Sequence, residues 1–286
     1  MQIRTDLALE QKEICGNLPN GIESNEFKSG DAIITKITVK NEKGAKALGK
    51  PVGIYTTVEV PPFSDNLRDE ALIKTVANEL KTLIPNKGDI LVVGLGNRTI
   101  TPDALGPLAT DGILATRHIS DEIRRVAGIE NIRTVSVLAP GVLGQTGIEV
   151  FSLLQGIVGK IKPACVIAID ALASRYLKRL GCTVQMCDSG IEPGAGVGNA
   201  RCEISQKTLG VKVVAVGVPT VTDAKTLVYD LTGRDDEIAS PNGRQMIITP
   251  REIDLIITRA AALIADAVNL ALHPNTDPNI IKELLS

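Results

Sequence analysis

The amino-acid sequence predicts an α/β fold in which a mostly parallel sheet is covered by helices on both faces. Short segments made almost wholly of apolar residues alternate along the chain with longer segments of helical period, as in sheets buried on both sides. The chain has 286 residues, of which 44% are hydrophobic and 22% are charged, so it is long enough to bury one large core. Alternating β-branched segments near the start predict a small additional β extension at the N-terminus.

The N-terminal region contains the first two predicted strands. Its first thirty residues are polar and mixed, and they include a turn-rich stretch at residues 16–21. Ala32–Val39 and residues 53–60 alternate apolar with polar positions and are rich in β-branched residues, which is typical of strands. The turn-rich segment 41–51 lies between them, so we expect the two strands to form an antiparallel hairpin.

From residue 66 onward, helical and strand patterns alternate. A helix is predicted at 66–83, because apolar residues recur there near a period of 3.6. Buried strands are predicted at 89–95, 134–138, 165–169, 183–186 and 211–217. Further helices are predicted at 105–118, 148–160, 171–180 and 250–272. The charged segment 233–244, rich in Pro, Asn and Gly, is predicted to be an exposed, mobile loop.

Composition and charge argue against several classes of function. The net charge is −2 and aromatic residues make up only 2% of the chain, without any tryptophan, whereas nucleic-acid binding favours basic patches and stacking aromatics. The sequence has neither an uncharged apolar stretch of about 20 residues nor an apolar leader. Five cysteines without a paired spacing indicate reduced thiols. We therefore expect a cytoplasmic protein that binds neither nucleic acid nor membrane.

Familiar ligand-binding motifs are incomplete in this sequence. Residues 44–50 (GAKALGK) match the start of a phosphate-binding P-loop, but Pro51 stands where that motif needs a Mg²⁺-binding hydroxyl. Residues 94–97 and 194–199 are rich in glycine without completing a dinucleotide-binding motif. A non-enzymatic regulator that binds nucleotide or phosphate stays open as an alternative. With only two histidines, acid–base chemistry is expected to fall to carboxylates.

Two aspartates stand directly after predicted buried strands. Asp103 follows strand 89–95, and Asp170 follows strand 165–169; ligands of such sheets bind beyond the carboxyl ends of the strands. Asp170 also suits the N-cap of the predicted helix 171–180. Two neighbouring carboxyls share a proton, so that one acts as a base and the other as an acid, and together they are able to hydrolyse a peptide bond. Asp188 and Asp111 are further candidates.

Several sequence blocks are similar to those of the spore germination protease family. They are residues 94–107 (GLGNRTITPDALGP), 140–149 (PGVLGQTGIE), 168–173 (AIDALA), 188–199 (DSGIEPGAGVGN) and 217–224 (GVPTVTDA). The resemblance runs from about Arg4 to His273. It implies an aspartic-type endopeptidase, unrelated to pepsin, that degrades small acid-soluble DNA-protecting proteins of the spore during germination. It also implies that Asp103 and Asp170 are the catalytic residues.

The resemblance has further implications for processing and assembly. Family members are zymogens that remove an N-terminal propeptide in the acidifying forespore, cutting after an acidic residue and before an apolar residue followed by Ala, with Glu further on. Asp6, Leu7, Ala8 and Glu10 fit this pattern. We therefore expect self-cleavage of the Asp6–Leu7 bond, a propeptide of residues 1–6 and a single peptidase domain of residues 7–286. The resemblance also implies a homotetramer in the forespore or spore core.

Supporting residues and one enzymatic alternative complete the sequence-based expectations. Asn97 and Thr101 are expected to orient Asp103 by hydrogen bonds or to serve as turn residues. Gly196 and Asn199 lie in the glycine-rich segment 194–199, which is expected either to offer N–H groups to a substrate or oxyanion or to form a tight structural turn. The family fold is also similar to that of hydrogenase-maturation endopeptidases, which bind nickel, so a metal-dependent maturation endopeptidase stays open. Because histidines are scarce near the strand ends, we expect neither a metal nor another cofactor.

Overall fold

A computed structural model of the chain describes residues 5–65, 69–126, 128–129, 132–194, 201–233 and 246–276. The helices and strands follow one another in this order: α1 (Ala8–Cys15), β1 (Ile22–Ser29), β2 (Ala32–Val39), α2 (Glu42–Leu48), β3 (Gly53–Glu59), α3 (Glu70–Leu83), β4 (Ile90–Gly94), α4 (Leu105–Asp111), α5 (Asp121–Val126), β5 (Val135–Leu138), α6 (Leu143–Thr146), α7 (Val150–Ile161), β6 (Cys165–Ala173), β7 (Thr183–Cys187), α8 (Gln206–Leu209), β8 (Lys212–Asp223), α9 (Ala224–Thr232), β9 (Ile247–Ile248) and α10 (Ile253–Leu272).

The strands of the described residues form one mixed sheet of nine strands, in the order β1-β2-β3-β7-β8-β6-β4-β5, with β9 beside β8. The neighbours β8, β6, β4 and β5 are parallel, and the other pairs are antiparallel. The predicted α/β class and the N-terminal β extension are confirmed, with parallel pairing confined to one half of the sheet. β1 and β2 are antiparallel because only two residues join them, whereas parallel neighbours need long crossovers.

Helices cover both faces of the sheet, as predicted. Alternate residues of β6 point to opposite faces: Ile167 and Ile169 join the core formed with α3, α4 and α10, whereas Val166 and Ala168 pack with Leu154 of α7. A third cluster, formed with α1 and α2, covers the N-terminal half of the second face. The side chain of Asp170 shares the face of Ala168, because the two residues are two positions apart on one strand.

The largest difference from prediction concerns residues 171–180. The predicted helix does not form, because β6 continues to Ala173 and pairs with the extended strand β8. Only a short 3₁₀ turn, Leu177–Arg179, follows. Pairing with β8 therefore overrides the local helical pattern, and the alternative in which Asp170 caps a helix is wrong.

The N-terminal hundred residues contain elements that the sequence pattern did not predict. Helix α1 and strand β1 occupy part of the stretch interpreted as a loop, and α2 lies in the turn-rich segment between β2 and β3. The predicted antiparallel pair β2–β3 is confirmed, with Ile34 opposite Val58. In the P-loop-like motif, the Gly44 N–H donates to the Asn41 side chain and the Gly49 N–H to the Ala45 carbonyl. These groups cap and close a helix, so they are not free to hold a phosphate.

Other predicted elements occur with bounds shifted by a few residues, although α4 ends at Asp111 rather than at residue 118. Helix α10 is long and apolar enough to cross a membrane by length and composition, but 67% of its most apolar window is buried within the protein. It packs against α3 and α4 in the main core. We therefore interpret α10 as a core helix.

Candidate active site

A cavity of about 860 Å³ lies on the face of the sheet that bears Asp170. Its walls include residues of α1, α7 and the segment after α2, and its floor includes the ends of β6 and β7. Asp103 and Asp170 both line it, together with Asp6 from the N-terminal segment. The two aspartates that the sequence singled out are thus brought to one cavity, at the carboxyl ends of parallel strands.

Asp170 is the more buried of the two aspartates. It lies on β6 with 5% of its surface exposed, and its Oδ1 accepts a hydrogen bond of 2.9 Å from the Ala171 N–H. Burial raises the pKa of the Asp170 carboxyl well above the ordinary value, and the nearby carboxyls of Asp103 and Asp6 raise it further. Removal from water and like charges both disfavour the ionised form. Asp170 is therefore suited to hold a proton.

Asp103 is half-buried and is held by the loop that follows β4. It ends the 3₁₀ turn Thr101–Asp103, and its Oδ2 accepts a 2.8 Å hydrogen bond from the Asn97 N–H. Gly96, with φ of +107°, allows this approach, because a Cβ there would lie 2.1 Å from the Asp103 carbonyl oxygen. Burial raises the pKa of Asp103, and the Asn97 N–H opposes that effect.

Asn97 and Thr101 contribute to the loop around Asp103 in different ways. Asn97 contacts the Asp103 carboxylate through its main-chain N–H, whereas its side-chain oxygen accepts hydrogen bonds from Thr99 and from Gln145. Thr101 begins the turn that carries Asp103. The main chain of Asn97, rather than its side chain, therefore orients the Asp103 carboxyl.

The other acidic candidates lie elsewhere. The Asp188 carboxylate accepts a 2.7 Å hydrogen bond from the Ile54 N–H, which ties the end of β7 to β3. Asp111 forms an exposed ion pair with Arg98, at 2.7 Å. Neither aspartate lines the cavity that Asp103 and Asp170 share.

The glycine-rich turn lies mostly beyond what the structure describes. Gly194 lines the cavity, but Gly196 and Asn199 are outside the described residues. Their role in binding a substrate stays a prediction. The segment 233–244, predicted to be a mobile loop, also lies outside the described residues from position 234 onward.

The start of the described chain runs through the cavity beside β6. The Asp6 N–H donates to the Ala173 carbonyl at 2.9 Å, and the Ala173 N–H donates to Asp6 Oδ2 at 2.8 Å. The next two residues, Leu7 and Ala8, are completely buried. Burial raises the pKa of the Asp6 carboxyl, although Lys50 and the Ala173 N–H lower it. Asp6, which precedes the bond predicted for self-cleavage, thus lines the same cavity as Asp103 and Asp170.

A buried carboxylate anchors this segment on its C-terminal side. Glu10, in the first turn of α1, has no exposed surface and accepts hydrogen bonds from the N–H groups of Arg175 at 2.6 Å and Tyr176 at 3.0 Å. It also faces the Arg179 guanidinium at 3.4 Å and accepts a hydrogen bond from the Thr5 hydroxyl. Since no helix forms at 171–180, the N–H groups of Arg175 and Tyr176 are available to bind this carboxylate.

Two polar side chains that the sequence analysis did not select contact the predicted cleavage site. Lys50 Nζ and Gln185 Nε2 both donate to the Asp6 carbonyl oxygen, each at 2.9 Å. The sequence features that could have identified these two residues were weak. Lys50 belongs to the incomplete P-loop-like motif, and Gln185 is a lone amide in the buried strand β7. Each becomes significant only when the fold places it against the N-terminal segment.

The cavity therefore combines two carboxyls in different environments with a peptide held at its polar atoms. A buried carboxyl whose pKa is raised and a more accessible carboxyl form an arrangement suited to acid–base hydrolysis. Within the described ranges, no three histidine, cysteine, aspartate or glutamate side chains converge as a metal site does.

Comparison with known proteins gives consistent matches. The family model described as germination protease matches residues 4–233. A germination protease of Caldanaerobacter subterraneus subsp. tengcongensis is 41% identical over 99% of this chain and 98% of its own length. The germination protease of Clostridium tetani is 38% identical over both full lengths, and that of Priestia megaterium is 35% identical over 96% of this chain and 95% of its own.

Among solved structures, the chain is similar to the NiFe hydrogenase maturation protease HycI from Thermococcus kodakarensis KOD1. The TM-score is 0.35 at 16% identity, over 66% of this chain and 98% of that one. The sequence matches are much stronger, because they extend over nearly the whole chain at 35–41% identity. The chain therefore belongs to the germination protease family.

Proposed function

We propose that this chain is an aspartic-type endopeptidase made as a zymogen, in which residues 1–6 are a propeptide and residues 7–286 are a single peptidase domain. One observation carries the proposal: Asp6, the residue before the predicted cut, lines the same cavity as Asp103 and Asp170, and its main chain pairs with Ala173 of β6. The N-terminal segment thus occupies the cavity as a substrate would. As a member of the germination protease family, it is a protease of spore germination.

The environments of the two carboxyls suggest their roles. Asp103, the more accessible, acts as the general base: it takes a proton from water, whose oxygen attacks the Asp6 carbonyl carbon. Asp170, whose pKa is raised furthest by burial and by its neighbours, acts as the general acid and gives its proton to the Leu7 nitrogen as the C–N bond breaks. The products are a new carboxyl group on Asp6 and a new amino group on Leu7, and one proton returns from Asp103 to Asp170.

The docked segment also suggests the substrate class. Leu7 and Ala8 are fully buried, and Glu10 binds two main-chain N–H groups and an arginine. A substrate in the same groove would carry an acidic residue before the cut, an apolar residue and alanine after it, and a glutamate at the fourth position after the cut. We propose that small acid-soluble spore proteins are these substrates.

The assembly and location follow from the same family resemblance. We propose a homotetramer in the cytoplasm of the forespore and the spore core, acting on protein rather than on nucleic acid or membrane, and needing no metal or other cofactor. Light scattering of the purified chain at neutral pH tests the assembly: a mass near four times 30.3 kDa supports the tetramer, and a monomer contradicts it.

A peptide-cleavage assay tests the proposed activity. The acid-treated chain is incubated with a peptide of a small acid-soluble spore protein that carries the acidic–Leu–Ala–x–Glu pattern, and with the same peptide carrying Gln at its final Glu. We expect cleavage after the acidic residue, weakened about 10-fold or more by the Gln substitution, because a charge-assisted contact is worth about 1.5–3 kcal/mol. Asp103→Asn and Asp170→Asn are expected to be inactive, and the surface variant Asp111→Asn to be fully active.

Two results would contradict the proposal. Full activity of Asp103→Asn and Asp170→Asn would place the catalytic groups elsewhere. Loss of the wild-type activity in a chelator, restored by a divalent metal, would instead support the metal-dependent alternative.

A further inference from the structure

We propose that Lys50 and Gln185 form the oxyanion site for self-cleavage, stabilising the negative charge that develops on the Asp6 carbonyl oxygen. This inference rests on the proposed cleavage of the Asp6–Leu7 bond. It assigns a catalytic role to two residues outside the aspartate pair, and it explains why a lysine follows α2 at the edge of the cavity.

The first support is the geometry at the carbonyl oxygen. Lys50 Nζ and Gln185 Nε2 both lie 2.9 Å from the oxygen of Asp6. Donors that stabilise an oxyanion lie about 2.7–3.1 Å from it. Two donors on one carbonyl polarise it before attack, and their hydrogen bonds strengthen as the oxygen gains charge.

The amide of Gln185 has a defined orientation. Its Oε1 accepts a 2.7 Å hydrogen bond from the Ala8 N–H, while its Nε2 donates to the Asp6 carbonyl. An N–H group only donates and a carbonyl only accepts, so the reverse orientation would lose both bonds. The side-chain amide of Gln185 therefore binds the main chain on both sides of Leu7, with one acceptor and one donor, as the main chain of a neighbouring β-strand does.

Neighbouring groups fix Lys50 in place. Gly49 ends α2 in the left-handed conformation, with φ of +68°, and turns the chain toward the cavity. The next residue, Pro51, accepts a 2.8 Å hydrogen bond from the Tyr55 hydroxyl. Lys50 Nζ also contacts the Thr5 carbonyl at 3.3 Å. The lysine that resembles a P-loop lysine thus contacts two main-chain carbonyls of the N-terminal segment.

The sheet register places Gln185 and Asp170 around a residue without a side chain. Gly217 of β8 is the register partner of Asp170 on one side and of Gln185 on the other. A Cβ at Gly217 would lie 2.5 Å from the Asp170 carbonyl oxygen. Gly217 therefore joins the strand of Asp170 to the strand of Gln185, and both residues line the same cavity.

The remaining polar atom of the scissile peptide is also bound. The Leu7 N–H donates to Thr5 Oγ1 at 3.0 Å. When water adds to the Asp6 carbon, the carbonyl oxygen becomes negative and is held by an ammonium group and an amide N–H. As that oxygen re-forms its double bond, the C–N bond breaks and the nitrogen takes a proton from the acid. Lys50 and Gln185 exchange no proton in this sequence of steps.

The test is the rate at which the purified zymogen loses residues 1–6 at one acidic pH, followed by intact mass. We expect Lys50→Met and Gln185→Met to slow this loss by about 10²–10³-fold each, as removal of one oxyanion donor does. Lys50→Arg, which keeps the cation, is expected to retain more activity than Lys50→Met. The matched control is Lys46→Met, at an exposed position of the preceding helix α2, which is expected to cleave at the wild-type rate.

Hydrogen exchange of the amides of residues 7–10, measured before acidification, separates catalysis from docking. Slow cleavage with these amides still protected supports the inference. Wild-type rates in both Met variants would overturn the inference and leave the proposed roles of Asp103 and Asp170 unchanged. Slow cleavage with the amides unprotected would also overturn it, because the variants would then act on docking rather than on catalysis. If one Met variant does not fold, Lys50→Arg and the remaining Met variant decide. Slow cleavage by that Met variant, with more activity retained by Lys50→Arg, then supports the inference, and wild-type cleavage by that Met variant overturns it. Absence of Asp6–Leu7 cleavage in the wild type would overturn both the proposed function and this inference.

Discussion

At the scale of single residues, the burial of Asp170 has a consequence for stability. Its raised pKa means that the folded chain binds a proton more tightly than the unfolded chain does. Stability is therefore greatest below the ordinary aspartate pKa and falls as the pH rises through the folded pKa. Asp170→Asn removes the ionisable group, so it is expected to raise the free energy of unfolding at pH 7 by about 1.4 kcal/mol for each unit of pKa elevation.

Urea unfolding with and without Asp170→Asn, at pH 7 and near pH 4, measures this effect; every chain also carries Asp103→Asn, so that none cleaves itself at the acidic pH. The gain is expected at pH 7 and is expected to shrink toward pH 4, where the wild-type carboxyl is protonated too. Asp111→Asn at the surface serves as the control and is expected to change stability little at either pH. An Asp170→Asn variant that is less stable than the wild type at pH 7 would contradict the assignment of a strained, buried carboxyl.

Gly217 offers a second prediction at this scale. Gly217→Ala would place a Cβ 2.5 Å from the main-chain oxygen of Asp170 and 2.6 Å from Leu172 Cγ. Overpacking of this kind costs about 1–3 kcal/mol, and we also expect slower self-cleavage, since the clash displaces the part of β6 that carries Asp170. The control is Gly156→Ala in α7, where a Cβ would meet nothing within 4 Å and a gain of up to about 1 kcal/mol is expected. Equal thermal midpoints for the two variants would contradict the prediction.

The sequence alone predicted the aspartates of this site but not their polar neighbours. Asp170 follows the apolar stretch that begins β6, and Asp103 lies in the loop after the apolar strand β4; this edge of such a sheet is where ligands bind. Lys50 and Gln185 act through contacts with Asp6, more than forty and more than a hundred positions away along the chain. Such contacts depend on where the N-terminal segment docks, which no local pattern encodes.

At the scale of elements, the docking of α1 depends on Glu10. Its carboxylate binds the N–H groups of Arg175 and Tyr176 without any exposure to water. Glu10→Gln keeps the shape of the side chain but removes its charge. We expect the free energy that holds the N-terminal segment in place to fall by about 2–3 kcal/mol, the contribution of hydrogen bonds to a buried charged group. Limited proteolysis at neutral pH is expected to cut the segment faster in this variant, and acid-triggered self-cleavage is expected to slow.

Glu13→Gln is the matched control for this prediction. Glu13 also pairs with Arg179, at 2.6 Å, but 36% of its side chain is exposed, and exposed ion pairs contribute about 1 kcal/mol or less. We expect proteolysis and self-cleavage of Glu13→Gln close to those of the wild type. If both glutamine variants behave alike, the anchoring role of Glu10 is contradicted.

The elements themselves were predicted where periodicity was strong. The buried strands and helices α3, α7 and α10 occur close to their predicted positions. Residues 171–180 have a helical pattern, but the long strand β8 captures their first part into the sheet, and only a short turn follows. Helix α1 was missed because its weak apolar pattern is stabilised by burial against the fold rather than by its own periodicity.

At the scale of the whole molecule, acidification has two opposing effects on stability. His273 follows α10 in a buried position, and burial together with Arg133 and Arg124 lowers its pKa from 6.5 to about 4. The unfolded chain therefore binds this proton first, and stability is lost as the pH falls from 6.5 toward 4. At about 1.4 kcal/mol per pKa unit, this loss amounts to about 3 kcal/mol. The buried carboxyl of Asp170 changes stability in the opposite direction.

Thermal unfolding between pH 4 and pH 7, with Asp103→Asn present in every chain to prevent self-cleavage, separates these contributions. His273→Gln is expected to lose less stability on acidification than the wild type does, and Asp170→Asn is expected to lose more, because it lacks the stabilising protonation. Exposed His118, which takes no part in the core, provides the control His118→Gln, expected to follow the wild-type profile. Identical pH profiles for all three variants would contradict both pKa assignments.

The central claim is that Asp103 and Asp170 cleave the chain's own Asp6–Leu7 bond, and intact mass before and after mild acidification tests it most directly. We expect the wild type and Asp111→Asn to lose residues 1–6, whereas Asp103→Asn and Asp170→Asn keep them over a time about 10³-fold longer. Trimming of Asp103→Asn or Asp170→Asn at the wild-type rate, or cleavage of the wild type at another bond, would show that these two aspartates do not cleave the Asp6–Leu7 bond.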